Sequence, residues 1–80
     1  MTESKFEQSW CKKAKLKGWM PIKLIQTSYN GMPDRMFLKS GKIFFAEFKA
    51  KGGRLSELQK TRIKQLRNTG FHVLVIESKN

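Results

Sequence analysis

Asp34-Arg35-Met36-Phe37-Leu38-Lys39-Ser40-Gly41-Lys42-Ile43-Phe44-Phe45-Ala46-Glu47-Phe48-Lys49 reads as two apolar-rich runs hinged at Ser40-Gly41. A tight turn at that dipeptide makes a β-hairpin, with strands from Asp34 to Lys39 and from Gly41 to Ala50. Antiparallel partners then carry numbers that sum to about 81, and Asp34 faces the region of Glu47 to within a residue or two. Period two puts Ile43, Phe45, Glu47 and Lys49 on one face of the second strand, with Phe44, Ala46 and Phe48 on the other. Glu47 and Lys49 are therefore neighbours on one face, roughly 6–7 Å apart along the backbone. Two carboxylates and a lysine converge on one spot.

Before the hairpin, Asn30-Gly31 gives a strong turn signal within Thr27 to Gly31, and Met20 to Gln26 reads as a strand entered through Pro21. Thr2 caps a first helix from about Glu3 to Lys17, which Gly18 closes. At about 100° per residue, Phe6, Trp10 and Ala14 share its apolar face, with Cys11 on the border and Lys5, Lys12 and Lys15 opposite. Glu3 and Glu7 fall inside the apolar arc. Carboxylates there are costly unless something positive meets them, or unless the first turn projects beyond the core into water.

After the hairpin, Lys51-Gly52-Gly53-Arg54 is a basic loop, and Ser56 caps a second helix through about Asn68. Leu55, Leu58, Ile63 and Leu66 form its apolar side. Gln59 lies among them, as a core or capping amide or as an active-site contact; a buried amide needs partners in either case. Phe71 to Ile76 is an unbroken apolar run, expected as a buried final strand lying parallel to the one before the helix. The element order is αβββαβ: an α/β fold with a small mixed sheet flanked by helices, in one domain over residues 1–80.

Seventeen Lys and Arg against six Asp and Glu give a net charge of +11, and the pI is about 10.3. Solubility alone needs nothing so one-sided, so the expected partner is nucleic acid. No apolar run approaches the ~20 residues of a membrane span, and no signal-peptide pattern opens the chain. The single Cys11 has no disulfide partner and no Cys or His at metal-ligand spacing. Together these point to a cytoplasmic protein, with its thiol reduced and no membrane contact. A core this thin also favours self-association.

In that positive field the six acidic residues are informative. Like charges as close as Asp34 and Glu47 do not both ionise comfortably without a cation between them. Mg²⁺ meets the need, because it takes carboxylate oxygens and waters and shares coordination with phosphate oxygens. Such an ion lowers the pKa of bound water and neutralises charge at phosphorus, while Lys49 orients or deprotonates that water or stabilises the developing anion. The expected chemistry is phosphodiester hydrolysis. A glutamate two residues before a lysine is weak evidence alone, since surface ion pairs of that spacing are common.

With Gly31-Met32-Pro33-Asp34-Arg35, Glu47-Phe48-Lys49, Gly52-Gly53-Arg54-Leu55-Ser56, Gln59 and Gly70-Phe71-His72-Val73 all in place, nearly the whole chain resembles the PD-(D/E)xK nuclease superfamily. It is most similar to the small stand-alone VRR-NUC (virus-type replication-repair nuclease) domains of phages. The resemblance implies a restriction-endonuclease-like core and metal ligation by Asp34, Glu47 and the Phe48 carbonyl. It also implies a catalytic Lys49, a supporting Gln59 and a helix-one glutamate for which Glu3 and Glu7 both fit. Mg²⁺ or Mn²⁺ dependence follows from it, with no small-molecule cofactor. So does a homodimer that cuts branched DNA such as Holliday junctions, in phage-type replication, recombination and repair.

Lys51, Arg54 and the glycines between them are placed to approach a phosphate backbone, and Arg35 and the helix-one lysines extend that track. Tyr29, Trp19 and Met32 near the turn could stack or wedge at a junction, although packing is the simpler use of Trp19. Trp10 belongs to the core by its periodicity, and His72 reads as structural. Two rival readings stand beside the enzyme. A non-catalytic basic DNA-binding module needs no metal, and an interaction protein uses its carboxylates only to cap turns.

Overall fold

A computed structural model describes residues 2–79. Its elements are α1 (Glu3–Leu16), β1 (Met20–Lys23), β2 (Arg35–Lys39), β3 (Lys42–Lys49), α2 (Glu57–Asn68) and β4 (His72–Glu77). The sheet runs β1-β2-β3-β4. β1 and β3 each pair antiparallel with β2, and β4 pairs parallel with β3 through the α2 crossover. The expected αβββαβ order and mixed sheet are both present.

The hairpin register follows from its turn. Ser40 (φ +50°) and Gly41 (φ +77°) are both left-handed, as a two-residue turn matched to the twist of its strands requires. Lys39 then pairs with Lys42 and Arg35 with Ala46, which aligns Asp34, one step outside β2, with Glu47. Alternation along β3 sends Ala46 and Phe48 to one face, where they pack with Phe37 and with Cys11 and Ala14 of α1. Phe45 goes to the other face and packs with Val73 and with Ile63 of α2. The sheet is thus held between one helix on each face. Phe37 lies flat on Phe44, ring centroids 4.7 Å apart, and Trp10 meets Phe37, Phe44 and Phe48 edge-on. Aromatic rings fill much of the thin core on the α1 side.

Three expectations need correction. β1 ends at Lys23 rather than Gln26, although Leu24 still donates its N–H to the Asp34 carbonyl at 3.0 Å. The final strand is not buried: among the described residues β4 has one neighbouring strand, and Leu74 and Val75 remain 42% and 43% exposed. Its apolar run is continuous, yet only Val73 is fully covered among its hydrophobic residues. Leu58, placed on the apolar side of α2 by periodicity, is 45% exposed and supports a loop instead of the core.

The two sheet edges differ. β1 is four residues long and carries Pro21, which has no N–H to offer, and the charged Lys23. β4 is six residues long, with neither proline nor lysine.

The loop before Asp34 is clamped to α2. Arg62 donates from Nε to the Asn30 carbonyl at 2.7 Å, and its guanidinium lies 4.9 Å from the Tyr29 ring centroid. Gly31 sits against Leu58 at φ +79°, where an added Cβ would stand 2.9 Å from Leu58 Cγ and 3.0 Å from its carbonyl oxygen. Gly31→Ala is therefore expected to cost about 1–3 kcal/mol, from left-handed strain and a clash with backbone. Urea unfolding of the variant beside wild type measures it.

Candidate active site

Asp34 leaves the clamped loop directly after the fully buried Pro33 and stands at the entry to the interior strand β2, opposite Glu47. The two residues are fastened reciprocally. The Asp34 N–H donates to Glu47 Oε1 at 3.1 Å, and Asp34 Oδ2 accepts the Phe48 N–H at 2.9 Å. Backbone amides hold both carboxylates, so neither depends on a flexible partner for its position.

Glu47 is 2% exposed. Its Oε2 accepts from Gln59 Nε2 at 3.0 Å and lies 3.4 Å from Lys49 Nζ. Gln59 caps α2 and also reaches Glu47. Its Oε1 accepts the Ser56 N–H at 2.9 Å while its N–H donates to the Ser56 hydroxyl, a capping box, and its amide nitrogen reaches Glu47. The start of α2 thereby orients a carboxylate of the site.

Burial raises the pKa of Glu47 above the ordinary range, the Asp34 charge adds to the rise, and Lys49 and the Asp34 amide oppose it. Asp34 is also raised, chiefly by burial and against the Phe48 amide, with Glu7 and Glu3 pushing the same way as burial. Raised carboxylates favour the protein when protonated. Their contribution is complete below their unfolded pKa values and is lost as pH rises through the folded ones. Metal-free protein at neutral pH therefore carries a destabilising pair. In EDTA, Asp34→Asn is expected to gain stability relative to wild type as pH rises from about 4 to 8. Urea unfolding across that range checks it, and a difference that shrinks with pH contradicts it.

The two glutamates of α1 have different surroundings. Glu7 is 5% exposed, and its Oε2 accepts from Lys23 Nζ at 2.8 Å and from Arg35 Nε at 2.6 Å. Burial works against its charged form, but these two cations prevail and lower its pKa. Glu3 is exposed and takes the Ala50 N–H at 3.1 Å. So one helix-one carboxylate is met by positive charge and the other projects into water. Glu7 is the larger influence on Asp34.

Arg35 is placed beside the site, with its Nε on Glu7 and its side chain 18% exposed. Lys51 and Arg54 are fully on the surface. Their loop is tied at both sides: Gly52 donates its N–H to Glu77 Oε2 at 2.9 Å, and the Ser78 N–H donates to the Lys49 carbonyl at 2.9 Å. Lys23, Glu77 and Arg62 were not singled out from sequence. The only signal for Lys23 was that a carboxylate on an apolar arc calls for a cation. Nothing local marked Glu77 or Arg62.

These residues suit a small divalent cation. Asp34 Oδ1 accepts no hydrogen bond from the described residues, and the adjoining Glu47 is buried beside a second carboxylate with one lysine to offset both. Among the described residues no group of three or more His, Cys, Asp or Glu side chains is placed to hold a metal ion. Mg²⁺ does not need such a group, because one or two carboxylates with waters and phosphate oxygens satisfy it.

No helix among the described residues is long and apolar enough to cross a membrane. In comparisons with known proteins, the family profile described as the VRR-NUC domain matches residues 4–80. No curated protein matches the chain.

Proposed function

The chain belongs to the VRR-NUC family, whose domain carries a nuclease-type function on DNA, and from that premise we propose a metal-dependent endodeoxyribonuclease acting on branched DNA. The observation that carries the reading is the reciprocal fastening of Asp34 and Glu47 with Lys49 Nζ 3.4 Å from Glu47 Oε2. Asp34, Glu47 and the Phe48 carbonyl would hold Mg²⁺ or Mn²⁺, with Glu7 as the helix-one carboxylate whose charge reaches the site. When bound, the ion supplies an activated water and neutralises charge on the scissile phosphate.

The chain's own residues do the rest. Gln59 keeps Glu47 turned toward the site through Nε2. Lys49 shares that edge, where it orients the attacking water and stabilises charge developing on the phosphate. Glu7 neutralises Lys23 and Arg35, so these cations do not collapse onto Asp34. Lys51 and Arg54 extend from the loop next to Lys49 and give the phosphate backbone its track.

Four-way junctions favour a homodimer in this reading, because two symmetric cuts call for a C2 pair. The phage-type replication and recombination setting is part of the same proposal. Its test is incubation with four-way junction, flap, linear duplex and single-stranded DNA, with Mg²⁺ and with EDTA. Junction cleavage that EDTA abolishes is the expected result. Binding to all four without cleavage of any would leave a DNA-binding module in its place.

A further inference from the structure

Both tryptophans of the chain line one cavity of about 260 Å³ on the α1 face of the sheet. Trp10, Trp19, Phe44 and Ala14 form its walls, and Lys13 and Lys17 complete the lining. The cavity is separate from the candidate active site. Phe44 lies three residues before Glu47 on β3 and faces the opposite side of the sheet.

Its walls are fixed by packing. Trp19 meets Phe44 edge-on at 4.8 Å, and Trp10 is wedged among Phe37, Phe44 and Phe48. Lys39 Nζ donates to the Lys17 carbonyl at 2.6 Å and lies 5.7 Å from the Trp19 ring centroid, so a third ammonium adjoins the cavity. Lys13 lies in the last turn of α1 and Lys17 is the residue that caps its C-terminal end; four residues of helical rise put their backbones about 6 Å apart along the axis, a separation comparable with that of neighbouring phosphates on one strand. Among the described residues no carboxylate side chain lines the space. Rigid aromatic walls ringed by cations match a flat π-system attached to an anion. In a chain of net charge +11, that ligand is a nucleobase with its flanking phosphates.

We propose that this cavity is a second nucleic-acid subsite, which takes one base of a single-stranded segment against Trp10, Trp19 and Phe44 and the flanking phosphates on Lys13 and Lys17. It gives a strand that runs past the catalytic edge a second hold on the far face of the sheet. The inference rests only on the nucleic-acid-binding part of the function proposed above. Its test needs neither metal nor cleavage, so the two can fail separately.

Because the cavity contains every tryptophan in the chain, intrinsic fluorescence reports on it directly. The full-length protein in EDTA is titrated with octathymidylate and with an abasic deoxyribose-phosphate oligomer of equal length. Thymidylate is expected to quench the emission and to bind at least about fivefold more tightly than the abasic chain, as base stacking requires. The exposed pair Lys13→Ala/Lys17→Ala is expected to weaken thymidylate binding about tenfold or more. Lys60→Ala/Lys64→Ala removes the same charge from α2 and is expected to change it less than about threefold. Equal binding of the two oligomers overturns the base-stacking role, and equal loss in the two double variants overturns the phosphate role. A change in emission on concentrating the protein alone assigns the cavity to a second copy of the chain and likewise overturns the proposal.

Discussion

Lys49→Ala is expected to lower the cleavage rate by about 10²–10⁴-fold, the range for losing a group that stabilises or relays charge in the transition state. DNA affinity in EDTA should change little, because one cation among seventeen is removed and the salt slope should fall by at most about one unit. The expectation rests on position. Lys49 follows Glu47 by two residues on the same face of β3, and its ammonium stands 3.4 Å from Glu47 Oε2. A mobile surface lysine would be replaceable by its neighbours, but this side chain is only 16% exposed. Single-turnover kinetics on a junction, beside a binding isotherm in EDTA, separates the two quantities. A variant rate within tenfold of wild type removes Lys49 from the chemistry.

The second large effect is expected at Asp34. Asparagine keeps an oxygen for the Phe48 N–H and the length that fits opposite Glu47, so the fold remains. It discards the charge. Loss of a metal-binding carboxylate removes several kcal/mol of transition-state stabilisation, and cleavage should fall by about 10³-fold or more. Calorimetric titration with Mn²⁺ should show binding to wild type and none to Asp34→Asn. In EDTA the variant should bind DNA as well as wild type or better, because a negative group has left the binding edge. Wild-type protein that takes up no Mn²⁺ above background would sink the metal assignment. A variant that takes it up unchanged would move the ligand away from Asp34.

The legible parts of this molecule were those set by local rules. Ser40-Gly41 demanded a two-residue turn, the turn dictated the register, and the register aligned Asp34 with Glu47. Alternation along β3 then decided which helix each of its side chains would meet. Gln59 was noticeable because an amide stood among leucines, and its capping role was readable from Ser56 three residues earlier. The less legible parts depend on residues far apart in the chain. Glu7 signalled only that it wanted positive charge; Lys23 and Arg35 supply it from 16 and 28 residues away. Glu77 fastens Gly52 from 25 residues away, and no pattern near either residue announces the contact. The burial of β4 was misjudged for a related reason. An unbroken apolar run fits a central strand, but whether a strand has one neighbour or two is decided by the whole topology.

The margin of β4 that no described strand covers, guarded at one carbonyl by Arg67 Nη2 on Val73 at 2.7 Å, has a practical bearing on how this protein is handled. At +11, mutual repulsion between copies opposes contact between such margins at low ionic strength. Added electrolyte strips nucleic acid from the protein and shortens the range of that repulsion at the same moment. Preparations freed of contaminating polynucleotide by high ionic strength should therefore be the ones most prone to strand-to-strand clumping, and they keep best when desalted promptly and held dilute.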